Sequence, residues 1–217
     1  MKNQLSKHFY ILFLFCLLLI TGCNALISKS PLQTTYYSLE RDQSKLPKEF
    51  APNGNLKLPT LIVNMPKENA GFDTRRMMYS RVPHQLEYFA KNEWIDSPAH
   101  MLQPLLVSAI EKTGGFKAVL PKYSLVKSDI RLESEIVQLI QIFNNKPSQV
   151  QFTLRATLID NITNKVIAHR EFDELTNAKS DDPSGGVLAA NQVVTTALVK
   201  LSIFCQEAVI AWQAPSK

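Results

Sequence analysis

The sequence predicts an α+β fold: a single domain whose largely antiparallel sheet carries two helices packed on one face. Three observations predict it. Val150, Phe152, Leu154, Ala156 and Leu158 alternate with Gln151, Thr153, Arg155 and Thr157, which is the period of a strand with one buried face. Met101, Leu102, Leu105, Leu106, Ala109 and Ile110 recur at helical spacing. A longer segment, from Gly186 to about Trp212, is apolar on most of a helix circumference, with Val187, Ala190, Val194, Ala197, Leu198, Leu201, Phe204, Cys205 and Ala208.

Taken in order, Tyr36-Tyr37-Ser38-Leu39 has the character of a short strand, and the breakers Pro47, Pro52 and Asn53-Gly54 make Lys45 to Asn55 a loop. Leu58 to Met65 reads as a strand stopped by Pro66, and Met77 to Val82 as another ended by Pro83. The stretch Gly71 to Asp96 is otherwise irregular. Asp96 or Ser97 then caps the first helix, with Pro98 in the first turn, where its missing N–H has no partner to lose, and Gly114-Gly115 closes it. Asp129 to Phe143 is a strand with a change of phase near Val137, where a bulge fits. After the alternating strand, Asn161 to Asn164 turns the chain and Val166 to Phe172 returns beside it. Asn177 to Pro183 is a polar loop before the last helix, which is expected to pack along the sheet beside the first.

The N-terminus sets the location. Lys2 and Lys7 precede the apolar run Phe9 to Ile20, too short for a comfortable bilayer span, and Ile20-Thr21-Gly22-Cys23 follows as a lipobox. Residues 1–22 are thus read as a lipoprotein signal peptide that is removed, 23–35 as the acylated Cys23 with a flexible tether, and 36–213 as the folded domain. Cys16 lies in the removed part and Cys23 is acylated, so Cys205 remains without a disulfide partner.

Composition excludes some classes. The 217 residues carry a net charge of +5, part of it from the two signal lysines, and Arg75-Arg76 is the longest basic run. Nucleic-acid binding is not expected from so mild and scattered a charge. His84, His100 and His169 stand in no metal-ligand spacing, and no Gly-Xaa-Ser-Xaa-Gly elbow occurs, so neither a metal site, a cofactor nor an enzyme activity is expected. Ser184-Gly185-Gly186 before a helix reads as a turn in preference to a phosphate cradle, and Cys205 as a small core residue. Asp181-Asp182, Glu171, Asp173 and Glu174 are loop and strand-end charges.

One segment has the composition of an interface. Arg75, Arg76, Tyr79, Arg81, Tyr88 and Trp94 form an aromatic and arginine set suited to a partner or a lipid headgroup. The same residue types also fit a second reading, in which Tyr79, Phe89 and Trp94 cover the sheet end as core. A groove between the last helix and the sheet could hold an acyl chain, and a closed core would use the same residues.

Several separated motifs share a pattern. Gly71-Phe72-Asp73-Thr74-Arg75-Arg76-Met77-Met78-Tyr79, Glu87-Tyr88-Phe89-Ala90-Lys91-Asn92-Glu93-Trp94 and Asp96-Ser97-Pro98-Ala99-His100-Met101-Leu102 occur in order. They are flanked by Tyr36-Tyr37-Ser38-Leu39, Leu132-Glu133-Ser134-Glu135-Ile136, Asp181-Asp182-Pro183-Ser184-Gly185-Gly186 and Ala189-Ala190-Asn191. Together they resemble the ABC-type transport auxiliary lipoprotein family, of MCE-type or paraquat-inducible-type lipid transport systems. The resemblance implies a non-enzymatic subunit of a transporter that moves lipids between inner and outer membranes, with an ABC ATPase, its permease and an MCE-domain protein as partners. It supplies no catalytic residue. A homo-oligomeric ring around an MCE assembly is compatible with it, as is a structural envelope lipoprotein that scaffolds an assembly without handling lipid. Asn24 after Cys23, in place of aspartate, points to the periplasmic face of the outer membrane, with the inner membrane as the alternative.

Overall fold

The computed structural model describes residues 33–40, 57–122 and 126–214. The signal peptide, Cys23, most of the tether and the 45–55 loop lie outside the described residues. The elements run β1 (Thr35–Tyr37), β2 (Leu61–Val63), β3 (Lys67–Glu68), β4 (Arg76–Ser80) and β5 (Glu87–Trp94), followed by α1 (Pro98–Glu111). After α1 come β6 (Val119–Pro121), β7 (Ile130–Ile142), β8 (Gln149–Asp160), β9 (Val166–Asn177) and α2 (Pro183–Gln213). Among the described residues this is a single α+β unit, one mixed sheet of nine strands with two helices.

The antiparallel meander β7–β8–β9 is the frame. Leu154 lies between Ile136 and Phe172, and all three are buried, so one face of each strand supplies the core. The opposite face is polar: Arg155 bridges Glu135 at 3.1 Å and Glu171 at 2.8 Å. The register shifts between Ile136 and Gln138, so the phase change near Val137 is a bulge. Strand β9 runs to Asn177, five residues past the sequence expectation. Its acidic end is held in the sheet because Asp173 accepts hydrogen bonds from Gln151 and Thr153, and Glu174 pairs with Lys200.

Short strands line the other edge of β7 in parallel: β2 opposite Ile130–Leu132, β3 opposite Glu135–Ile136, and β4 opposite Gln141–Ile142. Strand β4 also pairs antiparallel with β5, whose outer side takes β1 in parallel, while β6 lies outside β2. Strands β3, β5 and β6 were not expected. Two or three residues carry no period, and a register shift between Arg76 and Met78 breaks the alternation of β5.

Helix α1 begins at Pro98 and contains Pro104, which the sequence reading passed over. Pro104 takes the intrahelical donor from the His100 carbonyl, and both residues lie on the exposed side of the helix. Helix α2 is long and apolar enough to cross a bilayer, yet Val194, Ala197, Leu198, Leu201 and Cys205 are fully buried on β8, β9 and α1. Its start explains the Asp181–Gly186 motif. Asp181 accepts from the Ser148 N–H, Asp182 caps the helix by accepting from the Gly185 N–H at 2.7 Å, and Pro183 occupies the first helical position.

A Cβ on Gly185 would overlap the backbone of Ser180, and one on Gly186 would overlap the Gln141 amide. Gly185→Ala is therefore expected to destabilise the fold by about 1–3 kcal/mol, read by chemical denaturation, because backbone cannot yield as a flexible side chain does. A neutral result would mean that the loop before α2 shifts freely.

Among the carboxylates that tie folding to pH are three in the β8–β9 turn and at the start of α2. Hydrogen bonds from Thr163 and the Ile162 amide hold Asp160 below the usual range; the Ser148 amide does so for Asp181 and the Gly185 amide for Asp182. A lowered folded value stabilises the fold fully above the unfolded pKa of about 3.9 and ceases to do so as pH falls through the folded values. Through these aspartates the melting temperature should fall as the solution is acidified below about pH 5. Glu68 partly offsets this, because desolvation raises the pKa of its half-buried carboxyl, which so favours the fold as it protonates. In Asp182→Asn, which keeps a cap but takes up no proton, the acid limb should be shallower.

Candidate functional site

The β4–β5 hairpin gathers most of the aromatic and arginine set, and the pairing is one to one. The Arg75 guanidinium lies 5.7 Å from the Tyr36 ring centroid, that of Arg76 5.1 Å from Tyr88, and that of Arg81 5.0 Å from Tyr79. These are cation–π distances, and each exposed pair is worth about 0.5–1 kcal/mol. Arg75 also approaches Glu93 at 3.7 Å. The stacking limits the rotamers of the arginines while their charge stays at the surface.

Tyr79 anchors the group from below. It is buried, its ring lies 4.4 Å from Phe89 and 5.7 Å from Phe143, and its hydroxyl donates to the Glu87 carboxylate at 2.8 Å. That hydrogen bond stabilises the protonated phenol and raises its pKa. Trp94 belongs to the core: it is 4% exposed, lies in the same buried cluster as Met77, Leu139 and Ala190, and its backbone N–H donates to Arg75 O at 2.7 Å. It lines a small cavity beneath α2 with Leu139, Val150, Gly186 and Ala190, so it stands in the core and not in the exposed contact group expected from the sequence. Phe89 is half-buried.

The reversal between the strands, Arg81 to Leu86, is exposed throughout. It turns at His84, whose φ of 68° is in the left-handed region. Val82 and Leu86 stand on either side of the turn at 53% and 55% exposure. Sequence reasoning missed these two and Tyr36. The signal for the reversal was present in Pro83-His84 between two apolar residues, but β5 had not been read as a strand.

Elsewhere the expected sites have structural partners. Beneath the start of α2 is a cavity of about 20 Å³ lined by Met78, Trp94, Leu139 and Gln141 among others, room for about one water and far too little for an acyl chain. Farther along the helix a larger open groove of about 370 Å³ lies between β9 and α2, lined by Arg170 to Glu174, Lys200 and Ile203. The packing is closed at the first of these and open, with mostly charged walls, at the second. His100 contacts Asp96 at 3.1 Å and His169 contacts Thr157 at 2.9 Å. Among the described residues, no three His, Cys, Asp or Glu side chains converge on one point. Cys205 is fully buried on α2, and burial pushes its thiol pKa up, away from the reactive thiolate.

A family model described as the ABC-type transport auxiliary lipoprotein component matches residues 37–201. Among solved structures, protein XCC0632 from Xanthomonas campestris superposes with a TM-score of 0.68 at 20% identity, covering 82% of this chain and 98% of that one. An uncharacterized protein superposes at 0.59 and 14% identity, over 82% and 99% of the two chains. Both show the fold alone. A PelC dodecamer from Paraburkholderia phytofirmans reaches 0.42 at 12% identity, over 73% and 95%, too distant to carry an argument. No curated protein matches the sequence.

Proposed function

The chain belongs to the ABC-type transport auxiliary lipoprotein family, and from that premise we propose that it is the non-enzymatic accessory of a transporter that moves lipids between the inner and outer membranes. Its partners in this reading are an ABC ATPase, its permease and an MCE-domain protein, around which several copies form a ring. Acyl chains on Cys23 hold it to the periplasmic face of the outer membrane. The observation that carries the reading is the span of the family match, which runs from β1 into α2 and so includes most of the folded unit.

The closed core sharpens the role. The cavity beneath the start of α2, about 20 Å³, encloses no lipid, and the larger groove between β9 and α2 is walled mostly by charged side chains. Both support a domain that serves by docking while the lipid passes through its partners. Arg75, Arg76, Tyr36 and Tyr88 are the contact group for the transporter, because their charge is exposed and their geometry already fixed. Arg76→Ala is expected to weaken binding to the MCE protein by more than about 1 kcal/mol, roughly fivefold, with a stability change no larger than the cation–π contact itself. Binding and thermal melting measured on one preparation check this. Equal losses in both would make Arg76 structural.

The function is tested by following labelled phospholipid between separated inner and outer membranes. Loss of the chain should slow the redistribution, and the wild-type gene should restore it. Unchanged redistribution would favour the scaffold reading, in which the lipoprotein holds an assembly without serving lipid movement.

A further inference from the structure

The strand registers collect several features at one end of the domain. Strand β4 ends with Ser80 opposite Ile142, and the Phe143 N–H donates to Ser80 O at 2.8 Å, so the Arg81–Leu86 reversal projects past the last paired residues of β7. The turn from Phe143 to Ser148, with Lys146, lies at the same end. Strand β1 is parallel to β5, with Thr35 opposite Asn92 and Tyr37 opposite Trp94. Its first residue, to which the tether is joined, therefore faces the reversal side of β5. From Asn92 back to Glu87 is about 17 Å of strand. The chain from Cys23 to Thr35 can extend about 40 Å at most.

We propose that the Arg81–Leu86 reversal is the surface that rests on the phospholipid bilayer carrying the anchor. Val82 and Leu86 enter the boundary between headgroups and acyl chains, while Arg81 and Lys146 meet the phosphates. The reversal contains no acidic residue. The carboxylates of Glu87, Asp181 and Asp182 are each held by a hydrogen bond within the fold, from the Tyr79 hydroxyl, the Ser148 N–H and the Gly185 N–H. Exposure alone would choose differently: Ile162, in the β8–β9 turn at the other end of the sheet, is 82% exposed. The position of the tether favours the reversal. The inference rests on the Cys23 anchoring proposed above.

The test uses the full acylated chain in vesicles of phosphatidylethanolamine and phosphatidylglycerol, carrying Val82→Cys, Leu86→Cys or Ile162→Cys and labelled with an environment-sensitive fluorophore. Cys205 is fully buried, so the new thiol is the one labelled. Flotation reports anchoring and the fluorophore reports depth. The labels at 82 and 86 should shift to the blue and brighten at least twofold on the vesicles, while that at 162 does not change. A floating chain whose three labels stay equally water-exposed overturns the proposal alone and leaves the reversal to a protein partner. A chain that fails to float overturns the anchoring and this proposal with it.

Discussion

Replacing Cys23 with serine, in a chain exported with a conventional cleavable leader in place of residues 1–22, is expected to move the protein from the membrane to the soluble periplasmic fraction. Each acyl methylene buried in a bilayer contributes about 0.8 kcal/mol, and stable anchoring takes more than one chain or a chain with a second contact. Without the thiol no acyl group is attached. What remains is the exposed reversal, two aliphatic side chains and a few cations, too small a surface to retain the protein by itself. The released domain should melt as the wild type does, because its core is built from Leu102, Leu106, Ile136, Leu154 and Leu198, all fully buried and all beyond the tether. Fractionation and a thermal melt check both parts. A released chain that fails to fold would give the tether a structural role.

Phe152→Ala is expected to have the largest effect on stability. The ring is fully buried, its residue lies opposite Leu139 on β7 and Glu174 on β9, and α2 packs across β8. Truncation removes the transfer free energy of the ring and leaves a cavity that a sheet fixed on both sides cannot close, a loss of about 3–5 kcal/mol. Domains of this kind are stable by about 5–15 kcal/mol in all, so the variant should unfold at much lower denaturant and melt about 6–20 °C lower. Denaturation with an unchanged slope would confirm that the folded state is the same and merely weaker. A loss below 1 kcal/mol would mean that α2 collapses into the space, and the close packing described for it would be wrong.

The parts of the fold that were legible are those with long periods. Strand β8 showed its buried face by alternation, the bulge in β7 by a change of phase, and the two helices by apolar recurrence between a capped start and a glycine or loop. Strands β3 and β6 were invisible because two or three residues cannot display a period, and their parallel pairing with β7 and β2 depends on chain crossings that no local pattern encodes. The candidate site was legible as a composition and illegible as a geometry. Arg75, Arg76, Arg81, Tyr79 and Tyr88 were gathered from the sequence, but the partner of Arg75 is Tyr36, thirty-nine positions away and adjacent only because β1 joins β5. Trp94 had the right residue type for an interface and the wrong depth, since the covering of its indole is a tertiary fact. The Asp181–Gly186 motif was read as a turn before a helix in preference to an anion cradle, and the structure gives its glycines close approach at a helix start, with the Gly185 amide already bound by Asp182.

The central claim is that this lipoprotein is a docking subunit of a lipid transporter. Crosslinking of intact envelopes followed by purification of the wild-type acylated protein tests it most directly. The account predicts recovery of an MCE-domain protein, with less of it from Arg76→Ala at equal expression. Recovery of peptidoglycan-binding or porin partners alone, with no MCE protein from the wild type, would contradict it.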